Sequence, residues 1–262
     1  MRQFGLFYRK EMLEMARSYK WIWVPMVFLL LGVMQPVTTY YMPEILKHAG
    51  NMPAGTVITM PTPTAGEVLA QTLSQFGILG ILVLVLSMMG AVSGERQSGV
   101  TAMIFSKPVS FISYMAAKWA SMLTLTVAAF AAGYAGACYY TVQLIGSLEY
   151  GVVLQAGMMY LLYYVFVVSI LLLMSAWLPN GAGVAFTTIA FLMLLSFGSS
   201  LLSRYLAWSP SRLSAIASEL LTRGESLSSV APVLWMCLCS VLLCVTLAIY
   251  QMHTQESISA KV

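Results

Sequence analysis

Six stretches of this chain, near Trp21–Tyr41, Leu73–Val92, Trp119–Tyr140, Val152–Trp177, Ala182–Leu202 and Ala231–Tyr250, are long, apolar and almost free of charge. Each is close to the roughly 20 residues a helix needs to cross the hydrocarbon core of a bilayer. In hydrocarbon a backbone must satisfy its own N–H and C=O groups, and an unbroken apolar run of this length does so as a helix. The expected fold is therefore all-α: a polytopic membrane protein with six transmembrane helices, an N-terminal amphipathic interfacial helix and a short external helix before the last span. The composition agrees, since 60% of residues are hydrophobic and 8% charged, against roughly 25% charged in soluble domains. Only Leu178-Pro179-Asn180-Gly181 separates the fourth and fifth runs, and it predicts a tight turn.

Residues 1–20 form the first unit, ahead of a six-span unit over 21–262. Arg2, Arg9, Lys10, Arg17 and Lys20 alternate there with Phe4, Tyr8, Met12, Met15 and Tyr19 at three- to four-residue intervals. That pattern predicts a basic helix seated in the headgroup layer and held by anionic membrane lipids. No small-residue cleavage site follows closely, so it is expected to be retained rather than removed as a signal. Six spans put both termini on one side. That side also carries Arg96, Lys107, Lys118 and Lys261, whereas the other has Lys47, Arg204, Arg212 and Arg223. The positive-inside rule then places both termini and residues 93–118 in the cytoplasm. The six tryptophans, Trp21, Trp23, Trp119, Trp177, Trp208 and Trp235, fall near span ends and are expected to be interfacial anchors.

The segments 42–72 and 203–230 are then external. The first, with Pro43, Pro53, Pro61 and Pro63, is expected to loop over the outer surface. In the second, Ser209-Pro210 offers a cap, Leu213, Ile216 and Leu220 share a face, and Gly224 can end a helix. This predicts a short helix lying on the membrane or on the spans. Gly77, Gly80, Gly90, Gly133, Gly136, Gly181, Gly183 and Gly198 allow helices to approach closely.

The polar interruption at 93–118 is the expected working loop. Glu95 and Arg96 follow directly on the second run, where charged groups are expected to reach water. Val100, Met103 and Ile104 then recur at helix spacing until Ser106-Lys107-Pro108, which predicts a short helix whose apolar stripe needs another surface. Ser110 is placed to cap the helix that leads into the third span. Glu95-Arg96, Gly99, Thr101, Ile104, Ser106, Pro108-Val109-Ser110, Tyr114 and Lys118 together resemble the first cytoplasmic loop of type-2 ABC export permeases, the membrane subunits driven by a separate ATPase. The resemblance implies that Glu95, Arg96, Gly99, Thr101, Ile104, Lys107, Pro108 and Lys118, with the N-terminal helix, dock on cytoplasmic ABC ATPase subunits and transmit their closure. It also implies pairing with a second permease subunit, a copy or a related chain. The second and fifth spans would lie near a central path, with Ser87, Thr187, Thr188, Ser196, Ser199 and Ser200 as candidate lining. The helix before the last span would help close the outer exit.

Several classes are disfavoured by what the sequence lacks. It has no Gly-x-x-x-x-Gly-Lys-Ser/Thr, so no cofactor is expected on this chain, and ATP and Mg are expected on the partner ATPase. It has no Asp, and His48 and His253 lie outside the apolar runs, which argues against an intramembrane hydrolase and against an enzyme. No Glu, Lys or Arg falls at mid-span, where ion-coupled carriers keep a coupling residue. The basic residues are spread over span ends rather than one patch, so nucleic acid is not an expected partner. Cys138, Cys237, Cys239 and Cys244 lie in spans and are read as small hydrophobes, with no metal site. The expected function is the permease subunit of an ATP-driven exporter in a bacterial plasma membrane. The alternative is a non-transporting membrane immunity or assembly protein.

Overall fold

The computed structural model describes residues 2–49, 63–105, 109–201, 208–224 and 230–259, and over them the chain is helical with no strand. The helices are α1 (Arg2–Arg17), α2 (Lys20–Ala49), α3 (Ala65–Gln75), α4 (Ile81–Met88), α5 (Ser93–Gln97), α6 (Val100–Phe105), α7 (Phe111–Leu144), α8 (Tyr150–Trp177), α9 (Gly181–Leu201), α10 (Arg212–Arg223) and α11 (Val230–Ser259). A π-turn, Phe76–Gly80, joins α3 to α4. Among the described residues six segments are long and apolar enough to cross a membrane: Lys20–Ile45, Ala65–Gln97, Phe111–Leu144, Tyr150–Trp177, Gly181–Leu201 and Val230–Thr254.

Helix ends differ from the expected run ends where local chemistry outweighs hydropathy. The helix α2 continues past Tyr41 to Ala49 with Pro25, Pro36 and Pro43 inside it. The second span begins at Ala65, well before Leu73, because Thr64 and Glu67 form a capping box. The Thr64 hydroxyl accepts from the Glu67 N–H at 3.3 Å, and the Glu67 carboxylate accepts from the Thr64 N–H at 2.8 Å. Helix therefore occupies both flanks of the expected external loop, and residues 50–62 lie outside the described residues. Between α1 and α2 the chain turns at Tyr19, which holds a left-handed φ of 57°.

The bundle is built around α8, which packs against α4, α7, α9, α10 and α11. The most extensive helix pair is α2 with α7. A Cβ on Gly32 would sit 2.1 Å from the Gly133 carbonyl oxygen, and one on Gly133 would sit 2.6 Å from that of Phe28. A glycine on at least one side of each contact lets the backbones come this close. Of the other glycines singled out by sequence, Gly77 and Gly80 face tyrosine hydroxyls, whereas Gly90 and Gly183 face open space.

Phe28, Phe76, Phe130, Tyr160 and Tyr164 make a buried aromatic core at ring separations of 5.2–6.0 Å. Large apolar side chains such as Phe186, Leu194 and Phe197 on α9 and Trp235 and Leu242 on α11 point outward, as lipid-facing or partner-facing surface requires.

The short helix before the last span is present as α10, but it starts at Arg212, and its N-cap Ser211 makes no side-chain capping bond. Leu213, Ile216 and Leu220 are buried against α3 and α8, so the spans rather than the membrane receive this face. Gly224 ends it in a left-handed cap. Trp21 and Trp119, expected as anchors, are both half-buried against the core. The Trp119 Nε1–H donates to the Ser169 hydroxyl on α8 at 2.9 Å, so this ring packs inward.

Candidate functional site: a buried charge cluster joining α1, α5 and α7

Helix α1 runs beside the first turns of α7 in a fixed register. The Gln3 side chain accepts the Ser110 N–H at 3.3 Å, Phe7 meets the Tyr114 ring edge-on at 5.7 Å, and Lys118 Nζ donates to Glu11 Oε1 at 2.8 Å. Successive rungs are four residues apart on both helices, one helical turn, so the same face of each helix meets the other throughout. Phe7, Glu11 and Met15 are this inward face. Glu11 and Met15 are buried and Phe7 half-buried, so α1 packs on the protein; of the residues expected to dip into the membrane, Met15 is turned to this face, whereas Phe4 and Tyr19 are exposed.

Glu95 enters this joint from α5. Expected at the water boundary, it is instead 8% exposed. One carboxylate oxygen accepts from Lys10 Nζ, and the other accepts from the Tyr114 hydroxyl at 2.5 Å and lies in an ion pair 3.1 Å from Lys118 Nζ. Lys10 also lies 3.2 Å from Glu11 and 3.4 Å from the exposed Glu14. Lys118 is 1% exposed and 5.1 Å from the centre of the Tyr114 ring. The result is a compact cluster in which two ammonium groups bridge two buried carboxylates. Partial burial of Lys10 opposes its charge, but the hydrogen bond to Glu95 and the fields of Glu11, Glu95 and Glu14 outweigh it and hold its pKa above the ordinary lysine range. Glu11, Glu14 and Glu95 are near enough for a metal, yet the lysine ammonium groups already supply their positive charge.

Neighbouring contacts fix the rest of the joint. Arg96 Nη1 donates to the Ala176 carbonyl at 3.0 Å, placing a cation on the last turn of α8, where the helix dipole favours it. The N–H groups of Val92 and Ser93 donate to the Ser175 hydroxyl at 3.1 and 3.2 Å. Tyr114 also meets Phe105 of α6 at 5.4 Å, Phe105 stacks on Phe111 at 4.2 Å, and Phe111 meets His253 of α11 at 5.3 Å. One end of the bundle thus gathers α1, α5, α6, the start of α7 and the ends of α8 and α11.

The loop residues predicted from sequence divide into an inner and an outer group. Glu95, Thr101 and Lys118 are buried, Arg96 is half-buried, and Ile104 is half-buried against the core. Gly99, at φ 73°, turns the chain between α5 and α6, and Gln97, Ser98, Val100 and Met103 around it are exposed. The predicted apolar stripe is therefore split, with Met103 75% exposed and Ile104 turned inward. Lys107 and Pro108 lie outside the described residues. Ser110 is the N-cap of α7 but makes no side-chain capping bond.

Of the candidate path residues, Ser87 and Thr188 are buried and donate to the Leu84 and Val184 carbonyls of their own helices. Thr187 does the same to Gly183. Ser199 receives the Ser211 hydroxyl at 2.9 Å, which ties α9 to the start of α10, while Ser196 and Ser200 are exposed. Sequence reading missed Lys10 and Glu11 as site residues. The signal was there, since Glu11 is a carboxylate between Phe7 and Met15 on an apolar face, and burial there demands a cation.

Six apolar helices with a single buried charge cluster among the described residues, at one end of the bundle, define a multi-pass membrane protein. The sequence profile described as ABC-2 family transporter protein matches residues 7–218, and the chain belongs to that family. It is similar to the uncharacterized transmembrane protein YxlG of Bacillus subtilis (strain 168), at 36% identity over 217 residues that cover 83% of this chain and 84% of the relative. The matched region runs from α1 to α10 and contains every residue of the charge cluster.

Proposed function

We propose that this chain is the permease subunit of an ATP-driven exporter in a bacterial plasma membrane, taking its drive from separate cytoplasmic ATPase subunits that carry ATP and Mg. The observation that carries the reading is the joint itself. An exposed tip at Gln97–Val100 and Met103 is tied through Glu95 and Arg96 to α1, α7 and α8, so force on the tip reaches three elements at once. In this reading Val100 and Met103 dock in an apolar recess of the ATPase, and Lys107 and Pro108 belong to the same docking loop. Closure of the ATPases then moves the tip, and the charge cluster passes the movement to the first, third and fourth spans.

The basic residues of α1 and the loop support a cytoplasmic position for this end and both termini. A second permease subunit, identical or related, would cover α9, the least covered span, with Thr187, Ser196 and Ser200 facing the shared path.

The test is gentle detergent purification of wild type and of a Val100→Asp/Met103→Asp variant, with identification of copurifying chains and an ATPase assay. An ABC ATPase should accompany the wild type and be lost from the tip variant while the permease stays monodisperse. Wild-type protein that carries no ATPase under any mild condition would overturn the exporter reading and favour an immunity or assembly role. Equal retention by the variant would move docking away from the tip.

A further inference from the structure

The second span is not one continuous α-helix. Its π-turn at Phe76–Gly80 makes the i to i+5 bond from the Ile81 N–H to the Phe76 carbonyl, adding one residue to a turn. Two tyrosines one turn apart on α8 meet this site. The Tyr160 hydroxyl donates to the Leu73 carbonyl at 2.7 Å, and the Tyr164 hydroxyl donates to the Phe76 carbonyl at 3.0 Å. Both are fully buried, so each hydroxyl needs this partner, and each carbonyl uses a second lone pair.

Two glycines make the approach possible. A Cβ on Gly77 would lie 3.1 Å from the Tyr160 hydroxyl, and one on Gly80 would lie 2.5 Å from that of Tyr164. The turn, the glycines and the tyrosines therefore fit one another as a set.

The flanks of the turn have different partners besides α2 and α8, which touch both sides. On one side α3 is pressed onto α10, where a Cβ on Gly66 would sit 2.0 Å from the Leu221 carbonyl oxygen. On the other, α4 and α5 pack on α8 and α9, and α5 carries Glu95.

We propose that the π-turn is a hinge in the second span and that Tyr160 and Tyr164 are the positioning residues that hold it in the state seen here. A π-turn stores an extra residue, so it can shift or dissolve by exchanging hydrogen-bond partners while the span stays helical. The hydroxyls favour one arrangement by bonding carbonyls presented only there. The α3 flank, with α10, can then change its angle to the α4 flank over the surface of α8 without unfolding either. This does not depend on what is transported or on which ATPase binds.

The experiment uses the full chain in nanodiscs with its four native cysteines replaced by alanine. Spin labels at Gln71 and Gln97, both exposed and on opposite sides of the π-turn, report the distance distribution across the hinge. A single narrow distribution is expected, which Tyr160→Phe/Tyr164→Phe should broaden by about twofold or split in two. Deleting Ile78, whose side chain is exposed, removes the extra residue and should restore a narrow distribution even without the tyrosine hydroxyls. An unchanged width in the double phenylalanine variant, or a width that stays broad after the deletion, would overturn the proposal. If the double variant does not assemble, Tyr160→Phe alone is read by the same two outcomes.

Discussion

Lys118 and Glu11 show why single residues matter in this joint. Neither charge would be tolerated at 1% and 5% exposure without the other, because burial penalises an isolated ion far more than a bonded pair. Removing Lys118 leaves Glu11 and Glu95 to share the half-buried Lys10 alone, and Lys118→Met should cost about 3–5 kcal/mol. Thermal unfolding in detergent reads this directly. Adding Glu11→Gln removes one stranded carboxylate, so the double variant should be more stable than Lys118→Met alone; strictly additive losses would show that the two residues do not act as a pair. Tyr114 completes the set because its hydroxyl donates to the Glu95 oxygen that lies beside Lys118, while Lys10 takes the other oxygen.

At the scale of elements, close helix contacts depend on which glycines face a backbone. Gly66→Val would drive a side chain into the Leu221 carbonyl and should lift α10 from α3. Amide exchange in 212–223 should rise by about tenfold while α7 and α8 keep their protection. Gly183 faces open space on the same kind of helix, and Gly183→Ala should stay within about 0.5 kcal/mol of wild type. The sequence pointed the other way, since Gly183 was expected to allow close approach and Gly66 lay within the expected external loop. The capping box at Thr64 and Glu67 was legible as Thr-x-x-Glu, yet the prolines around it made the segment read as a loop. Hydropathy places the middle of a span well and its ends poorly, because ends are decided by caps and by neighbours.

At the scale of the whole molecule, the contact between His253 of α11 and Phe111 of α7 puts the last span's end beside α1 and the loop. An even number of spans requires this arrangement, and the excess of lysine and arginine on that end argues that it faces the cytoplasm. A reporter fused after Val262 that is active only in the cytoplasm should therefore be active, and one fused within 50–62 should not. The reverse pattern would invert the topology and remove the proposed ATPase side. The long apolar face of α9 belongs to the same scale, since a span so little covered by its own chain is where another subunit can seat.

By itself the sequence determined the class, the number of spans and the turn at 178–180, because length, apolarity and the absence of mid-span charge leave a bilayer-spanning chain few alternatives. It also marked residues 93–118 as the place where polar chemistry gathers. Only the tertiary structure decided that Glu95 and Lys118 face inward and each other, that Val100 and Met103 face outward, and that Tyr160 and Tyr164 reach a π-turn across the bundle. The physical reason is separation along the chain. Glu11 meets Lys118 across 107 positions and Tyr164 meets Phe76 across 88, and pairings of that kind depend on how helices pack, which local periodicity does not encode.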